Sequence, residues 1–349
     1  MDTEYIKVDP NNPDEAILGR AGKIILDGGL VAFPTETVYG LGGDALNCES
    51  SKKIYAAKGR PSDNPLIVHI CEWKAIERIS KDLPGEAKLL ADAFWPGPLT
   101  MIVKKSDEVP YETTGGLDTV AVRFPDHSVA LSFIEKAGGY IAAPSANISG
   151  RPSPTTGEHV FEDMNGRIEM ILDGGAVGIG VESTIVDLTG DIPTILRPGY
   201  ITEEMLERVL GRVESDVTIL DANTDKRPKA PGMKYRHYAP KGEMTIIEGD
   251  DTTVINTINK NVAEALQNGK KVGVLCTDET VDRIEAKIKF SAGSKNDEHR
   301  IAHNLYSILR EFDAAGVDVI YSFGFSKDGF GTAVMNRLLK AAGFNVIKA

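Results

Sequence analysis

Lys58 and Arg60 stand two apart in KGRPSDNPL (residues 58–66), beside Pro61 and Asn64. On an extended backbone, side chains at i and i+2 share a side, so this ammonium and guanidinium can clamp a polyphosphate between a point charge and a planar fork. A solvated surface pair is the plainer reading of the segment by itself. APSANISGRPSPT (143–155) is rich in small hydroxyl and amide residues after a strand-like run, and Ser145, Asn147, Ser149 and Ser153 can hydrogen-bond phosphate oxygens or a base. TETVYGLGGDA adds the hydroxyls of Thr35, Thr37 and Tyr39, with Gly40, Gly42 and Gly43 either letting backbone approach a ligand or making an ordinary turn. Thr119 and Arg123 lie in TVAVRF, Glu182, Ser183 and Thr184 in GVESTIVD, and Arg197 in ILRPG. A cation at the end of such a run is either paired inside or turned toward a ligand. His69, in the middle of LIVHI, reads as a satisfied core histidine. A nucleophilic serine has little support, because GxSxG is absent and no triad His or Asp can be assigned. Four cations, many hydroxyls and no thiol or metal cluster fit the alignment of a nucleoside triphosphate, with catalysis from charge stabilisation and orientation.

These residues need a scaffold. EAILGRAGKIILDGG (15–29) has the apolar spacing of an amphipathic helix stopped at Gly28 and Gly29, and the strand LVAFP follows. Further β-type runs are LIVHI (66–70), LTMIV (99–103), TVAVRF (119–124), YIAAP (140–144), MILD (170–173) and STIVDL (183–188). Helical patterns at 50–57, 85–93, 128–137 and 202–210 are interspersed, so residues 1–220 read as an α/β sheet domain, with the polar clusters at strand ends where ligands bind on open sheets. DANTDKRPKAPGMKYRHYAP (221–240) has three prolines and little apolar periodicity, and reads as a linker. Beyond it, residues 241–349 alternate MTIIEG, a helix near 253–268, KVGVLC, a helix near 298–314, VDVIYSF and a helix near 332–341. That βαβαβα order predicts a parallel sheet, without a standard nucleotide fingerprint, and suits a lid or docking module.

The 349 residues carry 39 Lys plus Arg and 51 Asp plus Glu, a net charge of −12. By segment the balance is 20 − 34 = −14 for residues 1–220, 5 − 2 = +3 for 221–240 and 14 − 15 = −1 for 241–349. So acidic a first domain lacks the diffuse positive field of sequence-independent nucleic-acid binding, and stable RNA binding is not expected. No apolar stretch approaches a membrane span, and MDTEYIKVDP is unlike a secretory start, so a cytoplasmic location is expected. Cys48, Cys71 and Cys276 are scattered and support neither a disulfide framework nor a zinc site.

In order along the chain, PTETVYGLG, KGRPSDNPL, PGPLT, APSANISGRPSPT, ESTIVD and LRPG resemble the YrdC-type threonylcarbamoyl-AMP synthases. The linker APGMKYRHYAP and the α/β domain after it resemble the longer, two-domain branch of that family. The resemblance implies a YrdC-like twisted mixed-sheet catalytic domain (1–220) and a smaller Rossmann-like parallel α/β domain (241–349), and the linker between them (221–240), by its length, five cations and two tyrosines, is expected to act as a lid. It implies the reaction of L-threonine, bicarbonate and ATP, with Mg²⁺ on the triphosphate, to L-threonylcarbamoyl-AMP and pyrophosphate. The product would go to a tRNA threonylcarbamoyl-transfer complex that modifies the adenosine beside the anticodon. By the same resemblance Lys58, Arg60, Ser145 and Asn147 form the signature set around the nucleotide. Asn64, Thr119, Ser153, Arg197 and Tyr238 match further ATP contacts, and Thr35, His69, Arg123, the backbone of Ala143 and Ser183 match the threonine site. Metal ligands and a general base stay unassigned. In the linker, Lys234 or Arg236 would neutralise phosphate, and Tyr235 and Tyr238 suit a strap across the site. Two other classes are weighed. A double-stranded RNA or ribosome-binding module is opposed by the charge, and a hydrogenase-maturation carbamoyl adenylation by the missing CxxC pairs.

Overall fold

The computed structural model describes residues 2–216, 219 and 237–349, so Lys234, Tyr235 and Arg236 lie outside the described residues, as does the linker up to 236. The chain divides into two compact units. The first runs through Ser149 and takes up again at Ser153–Ile219; the second comprises Gly150–Pro152 and, among the described residues, 237–349.

In the first unit an 11-stranded mixed sheet is built from β1 (Glu4–Lys7), β2 (Val31–Phe33), β3 (Gly40–Asp44), β4 (Ile67–His69), β5 (Leu99–Lys104), β6 (Thr119–Arg123), β7 (Ile141–Ala142), β8 (Met170–Asp173), β9 (Thr184–Asp187), β10 (Thr194–Arg197) and β11 (Glu214–Ser215), in the order β1-β8-β2-β3-β7-β4-β6-β5-β9-β10-β11. Helix α1 (Glu15–Leu26) starts where Asp14 accepts the N–H groups of Ala16 and Ile17, and gives way to Gly28 at φ +80°. It packs with α5 (Ser128–Lys136) over Val31, Phe33, Ile141, Met170 and Leu172, on the β1-to-β7 half of one sheet face. Side chains alternate across a strand, so Val68, Met101, Val122 and Val186 enter the main core on the other face, with residues of α2 (Cys48–Lys58), α3 (Ala75–Ile79), α4 (Gly85–Phe94), α6 (Gly157–Met164) and α7 (Glu203–Leu210). On the first face, beyond the reach of α1 and α5, Ile67, Ile102, Ala121, Ile185 and Leu196 form a small apolar floor of strand residues alone.

Two expectations from the sequence are corrected here. TETVYGLGGDA is not a glycine-rich loop open to a ligand: Gly40–Asp44 is strand β3, antiparallel to β2. Its glycines are needed by packing. A Cβ on Gly42 would lie 2.9 Å from Ile141 Cγ2, and one on Gly43 would lie 3.0 Å from Ile54 Cδ1. Tyr39 is buried, and its hydroxyl bonds Asp173 Oδ1 (3.1 Å) and the Gly175 carbonyl (2.6 Å) instead of a ligand. Nor is the backbone at Lys58 and Arg60 extended: Lys58 closes α2, and Gly59 turns left-handed at φ 61° before Arg60. The period-2 argument for the clamp therefore fails, whatever the two side chains do.

The second unit has five parallel strands, β12 (Glu243–Glu248), β13 (Val272–Cys276), β14 (Ile288–Ser291), β15 (Val319–Phe323) and β16 (Val346–Lys348), in the order β14-β13-β15-β12-β16. α8 (Asp251–Gln267), α9 (Glu298–Ala315) and α10 (Gly331–Ala341) supply crossovers, as the βαβ alternation requires. Tyr238, at φ +63°, stacks on Tyr306 of α9 with ring centroids 5.2 Å apart, and Arg337 of α10 lies over its ring.

Candidate active site

The floor is edged at one end by side chains from three adjacent strands. His69 pairs in register with Arg123, and Arg123 with Thr100, so the three share the face of the floor. Thr100 Oγ1 and Ser183 Oγ are 2.7 Å apart, and Arg197 donates to the Ser183 carbonyl (3.0 Å) and hydroxyl (3.1 Å). Arg123 Nη2 donates to Glu36 Oε2 at 2.7 Å and reaches Thr35 Oγ1 at 3.5 Å. The Thr35 hydroxyl donates to the Val38 carbonyl (2.6 Å), so at the 2.9 Å contact the proton comes from Thr37. Thr35, His69, Arg123, Ser183 and Arg197 are thus brought to one place by a connected set of contacts. All five are buried.

His69 is not the plain core histidine its sequence position suggests, because it borders this cluster. Nδ1 lies 3.1 Å from the Ile67 carbonyl, which can only accept, so Nδ1 carries the proton and Nε2 is an acceptor. Burial, then the Arg123 cation, pull its pKa down to about 3 against the carbonyls of Ile67 and Ile141. The imidazole is therefore neutral throughout the physiological range. An unfolded His titrates near 6.5, so below that pH the unfolded chain binds a proton that the folded chain refuses. Stability falls as pH drops from 6.5 toward 3, by about 2 kcal/mol at pH 5 from this group. Denaturation midpoints at pH 7 and 5 should converge in His69→Gln relative to the parent protein; an unchanged gap would show that His69 titrates normally.

At the other end of the floor the cations hold backbone. Lys58 Nζ donates to the Ser145 carbonyl and, at 2.5 Å, to that of Asn147, while the Ser145 hydroxyl donates to Asn147 Oδ1. Arg60 donates to the carbonyls of Asn64 (3.2 Å) and Pro65 (3.0 Å). Lys58, Ser145 and Asn147 are therefore one assembly at the end of α2, while Arg60, two residues on, holds the Asn64–Pro65 backbone. Asn64 is buried and its Oδ1 has no hydrogen-bond partner, so it is an acceptor available to a ligand. Ser153 donates to Glu182 Oε1 at 2.5 Å. The Ala143 N–H is spent on the Ile67 carbonyl (2.8 Å). Thr119 shares the face of Arg123 but stands four residues, about 13 Å, back along β6. Tyr238 belongs to the second unit. Sequence reasoning missed Glu36 and Thr100. Both lie inside quoted motifs, and alternation along LTMIV would have put Thr100 on the site face once β5 and β6 were paired.

A half-face of a mixed sheet floored by buried aliphatic side chains and edged by buried cations and hydroxyls has the residue types of an α/β enzyme that acts on an anionic small molecule. A family model described as "Telomere recombination", that of the Sua5, YciO and YrdC proteins, matches residues 23–199, and one for the threonylcarbamoyl-AMP synthase C-terminal domain matches residues 201–343. The threonylcarbamoyl-AMP synthase of Pyrococcus abyssi is 50% identical over 328 residues, covering 94% of each chain. That of Bacillus subtilis is 48% identical, covering 95% of this chain and 94% of its own. The crystal structure of P. abyssi Sua5 complexed with L-threonine superposes with a TM-score of 0.94 at 48% identity, over 99% of this chain and 100% of that one. The chain belongs to the threonylcarbamoyl-AMP synthase family. Its enzyme class follows, and the RNA-binding alternative is not favoured. Among the described residues no helix is long and apolar enough to cross a membrane.

Proposed function

We propose that the cleft converts L-threonine, bicarbonate and ATP to L-threonylcarbamoyl-AMP and pyrophosphate in the cytoplasm. The product is handed to a tRNA threonylcarbamoyl-transfer complex, for the adenosine beside the anticodon in tRNAs reading codons that begin with A. The observation that carries this reading is the pairing of a carboxylate-binding end, Arg123 with neutral His69, with a second polar end where Lys58 and Arg60 buttress Ser145, Asn147 and Asn64. The L-threonine bound to the P. abyssi protein supports it.

In this reading the threonine carboxylate lies on the Arg123 fork, and its hydroxyl meets His69 Nε2, Thr35 or Ser183. The neutral amine adds to the bicarbonate carbon, water leaves, and a carbamate oxygen attacks the α-phosphorus in line with departing pyrophosphate. Orientation and cations at the developing charge suffice, so no covalent enzyme intermediate is needed. Asn64, Thr119, Ser153 and Arg197 complete the ATP contacts, and the Ala143 backbone the threonine contacts. Mg²⁺ would arrive on the triphosphate. Among the described residues no group of three His, Cys, Asp or Glu side chains could hold a metal.

Protein given ATP, Mg²⁺, bicarbonate and L-threonine should release pyrophosphate, with release falling to background when either threonine or bicarbonate is omitted. Equal release without threonine would end this reading.

A further inference from the structure

One ion pair at the edge of the apolar floor is only half made. Arg123 Nη2 donates to Glu36 Oε2 at 2.7 Å, with the two side chains 5% and 13% exposed. A guanidinium and a carboxylate in register form two parallel hydrogen bonds. Here the second bond is missing: Arg123 Nε and Glu36 Oε1 are both buried and both lack a hydrogen-bond partner. Native structures rarely leave one such atom open, let alone a donor and an acceptor of opposite charge in a single pair.

The glutamate is not there by side-chain drift. Its carbonyl accepts the Ile179 N–H at 2.8 Å, and the residue before it is fixed by a turn in which Thr35 Oγ1 accepts the N–H groups of Thr37 (3.2 Å) and Val38 (3.3 Å). The nearby His127 has its Nδ1 buried and unpartnered and senses the Glu36 charge. A ligand that completes both open positions needs an anionic acceptor for Arg123 and a cationic donor for Glu36 a few ångströms apart. An α-amino acid in its zwitterionic form has that arrangement, and a simple carboxylic or hydroxy acid does not.

We infer that Glu36 holds the α-amino group of the substrate amino acid, as Arg123 holds its carboxylate. The inference rests on the threonine reading of this cleft and adds to it a residue that selects for a free amine and fixes where the nitrogen sits. Arg123 alone would accept any small carboxylate; the glutamate beside it repels an acid that brings no positive charge.

The test is calorimetric binding of L-threonine and of 2,3-dihydroxybutyrate, which has a hydroxyl in place of the amine, to the full chain and to Glu36→Gln. The variant should lose about 30-fold or more in threonine affinity and less than about 3-fold for the deamino acid, so that loss is coupled to the amine. Glu36→Asp, which keeps the charge, should retain part of the preference and serves if the glutamine variant fails to fold. Equal loss for both ligands would reduce Glu36 to a prop for Arg123. A gain in threonine affinity would make it only a competitor for that guanidinium, and either result overturns the inference. Absence of threonine binding to the parent chain would remove the underlying reading as well; threonine binding without amine coupling removes the inference alone.

Discussion

Arg123→Lys should fold and lose threonine affinity by about 10- to 100-fold, while ATP affinity changes little. Arg123 is 4% exposed, at the last position of β6, with His69 and Thr100 as its register partners on either side. Its value lies in shape as much as charge. One arm of the fork is engaged by Glu36 at 2.7 Å, and Nε is buried without a partner, ready for a second carboxylate. A lysine ammonium in that space keeps Glu36 neutralised but cannot present two coplanar donors, so bidentate recognition is lost and the ion pair survives. Arg123→Ala is the less informative change. It strands a buried carboxylate, which typically costs about 3–5 kcal/mol, and confounds binding with stability. Calorimetric titration of the lysine variant with threonine and with ATP decides the matter. Threonine affinity equal to the parent's would return Arg123 to structural ion pairing.

The same residue shows how far the sequence was legible. Strand and helix positions could be read because apolar periodicity is a local property: MILD at 170–173 and LTMIV at 99–103 fall on β8 and β5 with little adjustment. β3 was not legible. Its glycines break every local strand rule and are there because Phe33, Ile54 and Ile141, distant in sequence, crowd the strand. Strand order is also non-local: β7 lies between β3 and β4, and β9 beside β5, so nothing in the spacing of Arg123, Thr100 and Ser183 announces that they touch. Residue type carried the site further than spacing did. Arg123, Arg197 and the hydroxyls stood out by chemistry, while the i, i+2 argument at Lys58 and Arg60 rested on a backbone they do not adopt.

Lys58→Met should reduce turnover by about a hundredfold or more and leave threonine affinity within a few fold. The ammonium is 1% exposed and donates to the carbonyls of both Ser145 and Asn147, so it fixes the backbone of the loop that follows β7. Other ties of the loop are the Pro144 carbonyl accepting the Leu41 N–H, the Ala146 N–H on the Tyr39 carbonyl, the Ile148 N–H on Asp163 Oδ2 at 3.3 Å, and the Ser149 N–H on the Lys58 carbonyl itself. A charged hydrogen bond inside a protein contributes about 1.5–3 kcal/mol, and two buried carbonyls stripped of their donor cost about 1–3 kcal/mol each, so the loop should relax until its carbonyls find water. Methionine fills the volume of the lysine stem without restoring either bond, which separates loss of the ammonium from creation of a cavity. Misplacing Ser145 and Asn147 by an ångström is enough to spoil alignment of an in-line displacement, where rate depends on orientation and on charge at the leaving group. Arg123 and His69 sit on β6 and β4, outside this loop, so threonine binding should survive. Single-turnover rates and threonine titrations on the same preparation separate the two ends of the cleft. Parent-like turnover in Lys58→Met would show that the loop holds itself, and that the lysine is a buried structural cation with no part in the reaction.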